Sequence, residues 1–157
     1  MMFSSKKKFL YAVCDGEVIP TESIPDDVFS GGILGKGYGI KPKNGKIVSP
    51  VDGIVEVVTD TSHAYTVKNS DGLQILIHIG IDTVSLEGKG FNPCVREGQR
   101  VKAGDTLCIC DLEKIKQKGI RTETAILITN DEDAEIVSCK SGEAQGGATP
   151  VLQYRMK

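Results

Sequence analysis

The feature that most constrains this chain is the segment of residues 73–82, in which aliphatic residues alternate with others. Alternation with a period of two predicts a β-strand that buries one face in the core and turns the other face away from it. The aliphatic face consists of Leu73, Ile75, Ile77, Ile79 and Ile81, and the other face of Gln74, Leu76, His78, Gly80 and Asp82. His78 therefore lies on the non-core face, beside a glycine that leaves room for its ring. It is either a reactive group on a sheet surface or a structural histidine that is hydrogen-bonded within the fold.

The chain has only one other histidine, His63, and it precedes a second strand candidate. A polar turn, residues 69–72, separates the two candidate strands and contains an Asp-Gly pair. Strands joined by such a turn predict a β-hairpin, which brings His63 and His78 near each other across the sheet. Thr61 and Asp82 would then share their surface. Two imidazoles on one surface make a chemical role as plausible as a structural one.

Short apolar runs between turn signals recur along the whole chain, and a helical period appears only over residues 111–118. This pattern predicts an all-β sandwich or folded barrel with at most one or two short helices. The 18 glycines supply the corners that such a sheet system needs. The predicted strands cover residues 9–14, 17–20, 39–41, 46–49, 53–58, 64–68, 73–79, 100–102, 105–111, 124–128 and 136–139.

Composition limits the classes of protein to which the chain can belong. Its 157 residues suit one domain, residues 9–157, after a basic tail of residues 1–8 that we expect to be flexible. A formal charge of -2 argues against a nucleic-acid partner. No apolar stretch is long enough for a membrane span, and the first residues lack the pattern of a signal peptide, so we expect a cytoplasmic protein with only indirect membrane association. Five cysteines without a CxxC pair indicate reduced thiols.

Four segments carry a family resemblance: residues 47–53 (IVSPVDG), 61–64 (TSHA), 77–91 (IHIGIDTVSLEGKGF) and 98–105 (GQRVKAGD). In order and spacing they resemble the glucose-type enzyme IIA domain of the phosphoenolpyruvate-dependent sugar phosphotransferase system. The run HxGxDTVxLxGxGF is highly specific to that family. The resemblance implies a single-domain β-sandwich or folded barrel of the barrel-sandwich hybrid type, similar to the duplicated hybrid motif.

The resemblance also implies a function and a set of site residues. His78 would accept a phosphoryl group on its tele nitrogen from phosphorylated HPr and pass it to a cysteine in the IIB domain of a sugar permease. His63 would stabilise the phosphoryl group, Thr61 would orient His63, and Asp82 would tune the site. No cofactor or metal is required. The chain would thus be a phosphotransferase component that supports sugar uptake.

Two carrier proteins must exclude water briefly and then separate quickly, so we expect an apolar docking surface around the polar centre. Val28 and Phe29 match the family segment that leads to that surface, and Leu76 shares the face of His78. The alternative interpretation of Phe29 is an ordinary core residue with no contact to a partner. Tyr65 is expected at the rim. These four residues are the predicted partner contacts.

Other functions remain open at this point. The first is a regulator of the same fold that binds partners according to its phosphorylation state. Biotinyl and lipoyl carriers share the fold type, but their lysine between apolar neighbours at a hairpin tip is absent here. A zinc hydrolase would need three protein ligands and a general base, and the chain has only two histidines. His63 and His78 would hold zinc only with a carboxylate supplied by a partner.

Overall fold

The computed structural model describes residues 8–157, which form fourteen β-strands and two short α-helices. The helices are α1 (Asp27–Ser30) and α2 (Leu112–Gln117), and 3₁₀ turns cover Thr21–Ser23, Thr83–Leu86 and Asp131–Asp133. The strands are β1 (Lys8–Tyr11), β2 (Gly16–Pro20), β3 (Lys36–Pro42), β4 (Lys46–Val48), β5 (Gly53–Val58), β6 (Ala64–Lys68), β7 (Gln74–His78), β8 (Phe91–Pro93), β9 (Arg100–Val101), β10 (Thr106–Cys110), β11 (Thr124–Ile128), β12 (Ala134–Cys139), β13 (Gly142–Ala144) and β14 (Pro150–Met156).

The strands form three antiparallel sheets. The large sheet has the order β13-β2-β3-β11-β7-β6-β5-β9, and the small sheets have the orders β1-β14-β12 and β4-β10-β8. Within the described residues each sheet keeps two open edges, so the sheets pack as a sandwich and do not close into a barrel. The predicted all-β sandwich class with at most two short helices is confirmed.

The main hydrophobic core lies between the large sheet and the two small sheets. It contains Ile75 and Ile77 from β7, Leu107 from β10 and Leu152 from β14, all fully buried. The alternation predicted for residues 73–82 is confirmed as far as Ile79, because the aliphatic residues from Leu73 to Ile79 lie in this core and Gln74, Leu76 and His78 stay half-buried on the opposite face. We call that opposite face of the large sheet the outer face. Ile81 lies beyond the end of β7 and packs in a separate apolar cluster.

A second, smaller apolar cluster covers part of the outer face. The segment that contains α1 folds back over β2, β3 and β11, where Gly39 has no side chain. A Cβ atom on Gly39 would lie 2.8 Å from the Ile24 side chain. The glycine therefore allows the segment to pack against the sheet. The cluster consists of Ile19, Ile24, Phe29, Ile81, Ala125 and Leu127.

Some elements differ from their predicted bounds. β3 begins at Lys36, earlier than predicted, because its glycines lie within a strand instead of a turn. The strands β8, β13 and β14 were not predicted; β8 and β13 have only three residues each, and β14 opens with a proline. Helix α2 lies within its predicted segment and is capped by Asp111, whose side chain accepts a hydrogen bond from the Lys114 amide at 3.1 Å.

The predicted basic tail, residues 1–8, lies outside the described residues except for Lys8. Lys8 begins β1, and its Nζ forms an ion pair with Asp71 at 2.7 Å. Among the described residues no helix has the length and apolarity needed to cross a bilayer.

Candidate functional site

The two histidines meet at one end of the β6–β7 hairpin. Ala64 of β6 pairs directly with His78 of β7, and the Ile79 amide donates to the carbonyl of His63 at 2.8 Å. The two imidazole rings lie 4.9 Å apart between centroids, at an interplanar angle of 78°. The predicted hairpin therefore brings the two rings edge to face on the outer face of the large sheet.

The orientation of His78 is set by the chain directly after it. Its Nδ1 lies 2.9 Å from the carbonyl oxygen of Gly80. A carbonyl only accepts hydrogen bonds, so Nδ1 is the nitrogen that carries the proton, and Nε2 of a neutral ring keeps its lone pair. Gly80 has a φ of +75°, and a Cβ atom there would lie 2.5 Å from Cγ2 of Thr83. Both facts explain why a glycine occupies this position.

His63 is held by hydroxyl groups on the other side of the pair. Its Nδ1 lies 2.6 Å from Oγ1 of Thr61 and 3.4 Å from Oγ1 of Thr59. The Thr59 hydroxyl also accepts a hydrogen bond from the Ala64 amide at 3.1 Å, which closes the loop between β5 and β6. Thr61 is thus in contact with the His63 ring, the contact that the family resemblance implies. When the Thr61 hydroxyl donates to Nδ1, a neutral His63 ring carries its proton on Nε2.

Both histidines are neutral at pH 7. Burial, together with the neighbouring His78, lowers the pKa of His63 from 6.5 to about 4. Burial also lowers the pKa of His78, while the Gly80 carbonyl and the charges of Asp26 and Asp82 act in the opposite direction. A neutral imidazole is a nucleophile, and a neutral N–H is a hydrogen-bond donor, so the pair offers one group of each kind.

Asp82 is the most weakly placed of the predicted site residues. It adopts a left-handed backbone with a φ of 59° at the start of the 3₁₀ turn, and its side chain caps no amide of that turn. Its charge favours the protonated form of His78, and so does the charge of Asp26. Asp26 was not predicted as a site residue. The only sequence signal for it was its position before a short helix, where its side chain accepts a hydrogen bond from the Val28 amide at 2.9 Å.

The four predicted docking residues differ in how far they are exposed. Val28 is 47% exposed, and Leu76 is half-buried on the outer face beside His78. Phe29 is only 5% exposed, and its ring centroid lies 4.8 Å from that of His78 at an angle of 53°. Phe29 therefore forms one wall beside the His78 ring.

Tyr65 does not lie at the rim, because it is fully buried in the core. It faces inward from β6 together with Val67, and its hydroxyl has no hydrogen-bond partner that meets ordinary geometry among the described residues. The thiols of Cys108 and Cys110 lie close enough to it to raise its pKa further, although burial is the larger cause. A partner protein docked on the surface cannot contact this side chain.

Metal binding finds little support in the geometry. The described part of the chain, residues 8–157, contains no cluster of three or more His, Cys, Asp or Glu side chains suited to hold a metal ion. The pair of His63 and His78 would supply two nitrogen ligands at most. Zinc binding with a carboxylate from a partner stays a prediction.

Known proteins resemble this chain over nearly its whole length. Residues 8–134 match the family model described as phosphoenolpyruvate-dependent sugar phosphotransferase system, EIIA 1. The chain is 42% identical over 149 residues to a protein from Oceanobacillus iheyensis named PTS system glucose-specific EIIA component, a match that covers 94% of this chain and 90% of the relative.

Two further matches are a longer protein, of which this chain matches only a part, and a solved structure of similar length. A protein from Streptococcus pneumoniae named PTS system glucose-specific EIICBA component is 39% identical over 154 residues, which cover 98% of this chain and 21% of that protein. The solved structure of glucose permease IIA from Mycoplasma capricolum matches with a TM-score of 0.91 and 36% identity, covering 97% of this chain and 99% of the other.

Proposed function

Since the chain belongs to the EIIA 1 family of the phosphoenolpyruvate-dependent sugar phosphotransferase system, we propose that it carries the phosphoryl group on Nε2 of His78. Membership in the family makes the chain a phosphocarrier component of sugar uptake. The proposal adds the residue, the atom and the partners: phosphorylated HPr as donor and a cysteine of a permease IIB domain as acceptor. The observation that carries it is the 2.9 Å contact between His78 Nδ1 and the Gly80 carbonyl, which leaves Nε2 as the nucleophile.

In the first transfer the lone pair of His78 Nε2 attacks phosphorus, and the bond between phosphorus and its donor atom in HPr breaks. The proton on Nδ1 stays in place, so the imidazole gains positive charge as the new P–N bond forms. The carbonyl oxygen of Gly80 lies 2.9 Å from Nδ1 of His78, accepts its proton in a hydrogen bond and so stabilises this positive charge. Asp26 and Asp82 favour it in the same direction, since both raise the pKa of His78.

His63 stabilises the transferring group. With Thr61 donating to Nδ1 at 2.6 Å, the Nε2–H of neutral His63 is available to the phosphoryl oxygens. Phosphoryl transfer requires little covalent help from the protein, so a preorganised donor of this kind supplies much of the catalysis. The low pKa of His63, about 4, keeps the ring neutral before the phosphoryl group arrives. The negative charge of that group then raises the pKa of His63.

The second transfer reverses the first. A cysteine thiolate of the IIB domain attacks phosphorus, the P–N bond breaks, and the electron pair returns to Nε2 of His78. The relative named EIICBA component supports this acceptor, because its name joins an A component to a B component within one chain. Val28 and Leu76 supply apolar surface beside the reactive ring for both partners, and the Phe29 ring shields one side of it.

Intact-mass measurement after incubation with phosphoenolpyruvate, enzyme I and HPr tests the acceptor. The parent chain should gain one phosphoryl group, and His78→Ala should gain none while keeping its fold, because the side chain does not face the core. The matched variant His63→Gln should still accept phosphate but deliver it slowly to IIB, since glutamine retains a donor without the imidazole. Phosphate on His78→Ala would remove His78 from its role.

The same assay separates transport from pure regulation. A chain that only regulates partners would accept phosphate from HPr and fail to pass it to a IIB domain. Rapid delivery from the parent to IIB therefore supports the carrier function, and phosphate that is accepted but retained in the presence of IIB contradicts it.

A further inference from the structure

A recess lies on the outer face of the large sheet, at its β5–β9 edge, away from the two histidines. It encloses about 460 Å³, a volume within the range of small-molecule sites. Ile54 forms part of its lining and is 41% exposed, so its aliphatic side chain is accessible from the recess. The charged residues that line it are Lys68, Arg100, Lys102, Asp52 and Asp105.

The strand register places two of these cations on either side of the isoleucine. Ile54 of β5 pairs with Lys68 of β6 on one side and with Arg100 of β9 on the other. Directly paired residues project from the same face of a sheet, so these three side chains form one row. Lys102 follows β9 on the rim of the recess.

The cations of the recess have no ion-pair partner in the described part of the chain. The four ion pairs found there involve Lys8, Lys43, Arg121 and Arg155. The two carboxylates of the recess bind backbone amides instead: Asp52 accepts from the Ala103 amide and Asp105 from the Lys102 amide, each at 2.8 Å. Each carboxylate thus keeps one oxygen that can accept a further hydrogen bond.

We propose that this recess binds a small phosphorylated sugar, with Lys68 and Arg100 on the phosphate and Ile54 against the sugar ring. Three cations and two carboxylates leave one net positive charge, which favours an anion. A simple anion would gain nothing from the carboxylates, whereas a ligand that also carries hydroxyl groups can donate to the free oxygens of Asp52 and Asp105. The exposed side chain of Ile54 suits the C–H face of a sugar ring.

The proposed site is separate from the phosphoryl site. Lys68 and His78 lie on the same outer face, but Lys68 is paired with Gln74 at the opposite end of the hairpin. His78 lies four residues along the extended strand from Gln74, a distance of about 13 Å. Binding in the recess therefore does not require His78, and the two proposals can fail independently.

Chemical shifts of backbone amides in the full chain test the site. Titration with glucose 6-phosphate should shift the amides of Gly53, Ile54 and Val101 to saturation, with the same response in His78→Ala. Arg100→Gln and Lys68→Gln should each weaken the apparent affinity about tenfold, the expected loss for one charge-assisted contact. Lys36→Gln removes an exposed lysine at the start of β3 and should leave the affinity unchanged.

Four results would overturn the proposal. The first is a response without saturation up to about 20 mM, since a specific site should show at least millimolar affinity. The second is equal weakening by Lys36→Gln and Arg100→Gln. The third is equal affinity for inorganic phosphate, which would reveal a general anion effect. The fourth is binding to phosphatidylglycerol vesicles without binding to glucose 6-phosphate, which would assign the cations to a lipid surface.

Discussion

The hydroxyl of Thr61 should matter to catalysis far more than its small size suggests. His63 is 7% exposed as a residue, and its ring Nδ1 has one close partner, Oγ1 of Thr61 at 2.6 Å. Thr61→Val keeps the volume and removes that partner. The alternative partner, Thr59 at 3.4 Å, already bonds to the backbone of Ala64. The variant therefore leaves a nearly buried ring nitrogen without a good hydrogen bond.

The expected cost follows from the burial of that nitrogen. Leaving a buried polar group unsatisfied costs about 1–3 kcal/mol, whereas a typical hydrogen bond contributes about 1 kcal/mol net. Part of that cost lowers the free energy of unfolding. The rest is avoided when the His63 ring rotates or moves its proton to the other nitrogen, and either change takes the donor away from the phosphoryl group. If the transition state loses about 1.5 kcal/mol, the rate of phosphoryl transfer from HPr falls about tenfold.

Rapid-quench measurement of kcat/KM for transfer from HPr, together with ¹⁵N spectra of the His63 ring, is the assay. Thr61→Val should slow transfer and shift the ring nitrogen signals of His63. Thr61→Ser retains the hydroxyl and serves as the matched control, so it should stay within about twofold of the parent. Transfer by Thr61→Val within twofold of the parent, with unchanged ring signals, would refute the reasoning; so would equal losses in both variants.

Three further outcomes follow from the same geometry. Because the fold lowers the pKa of His63 from 6.5 to about 4, protons favour the unfolded chain as pH falls through this window. Urea titrations should show that the free energy of unfolding lost between pH 6.5 and 4 is smaller in His63→Gln than in the parent by about 2–3 kcal/mol. The rest of the loss comes from His78, Asp71 and Glu123, whose pKa values are also lowered in the fold, and equal losses in both chains would contradict the assignment to His63. Gly80→Ala should destabilise the fold by more than Gly72→Ala, since both glycines have positive φ but only at Gly80 would the added Cβ collide with a neighbour; equal losses would contradict the clash. Phe29→Ala should lower the free energy of unfolding by about 3 kcal/mol because Phe29 is buried, whereas Val28→Ser should lower it by less than about 0.5 kcal/mol because Val28 is exposed. Val28→Ser should nevertheless slow phosphoryl transfer from HPr. Transfer at the parent's rate in Val28→Ser would remove Val28 from the docking surface.

The sequence was sufficient to predict the class of fold and the centre of the site. Alternation over residues 73–82 placed His78 on the face away from the core, and the polar turn before it predicted the hairpin that brings His63 beside it. Both signals are local, because side-chain alternation and turn chemistry depend on neighbouring residues alone. The sequence also indicated that Tyr65 is buried, because Tyr65 and Val67 lie two residues apart on the same face of β6. The expectation of a rim position overlooked this alternation.

Contacts between distant segments were decided by the tertiary structure. The ring of Phe29 reaches His78 only because the segment around α1 folds back over Gly39 of β3, and no local pattern specifies that path. The recess at Ile54 likewise depends on pairing with β9, a strand of two residues. Which strands become neighbours is determined by loop closure and core packing summed over the whole chain. A local pattern therefore predicts which way a side chain faces but not what it meets.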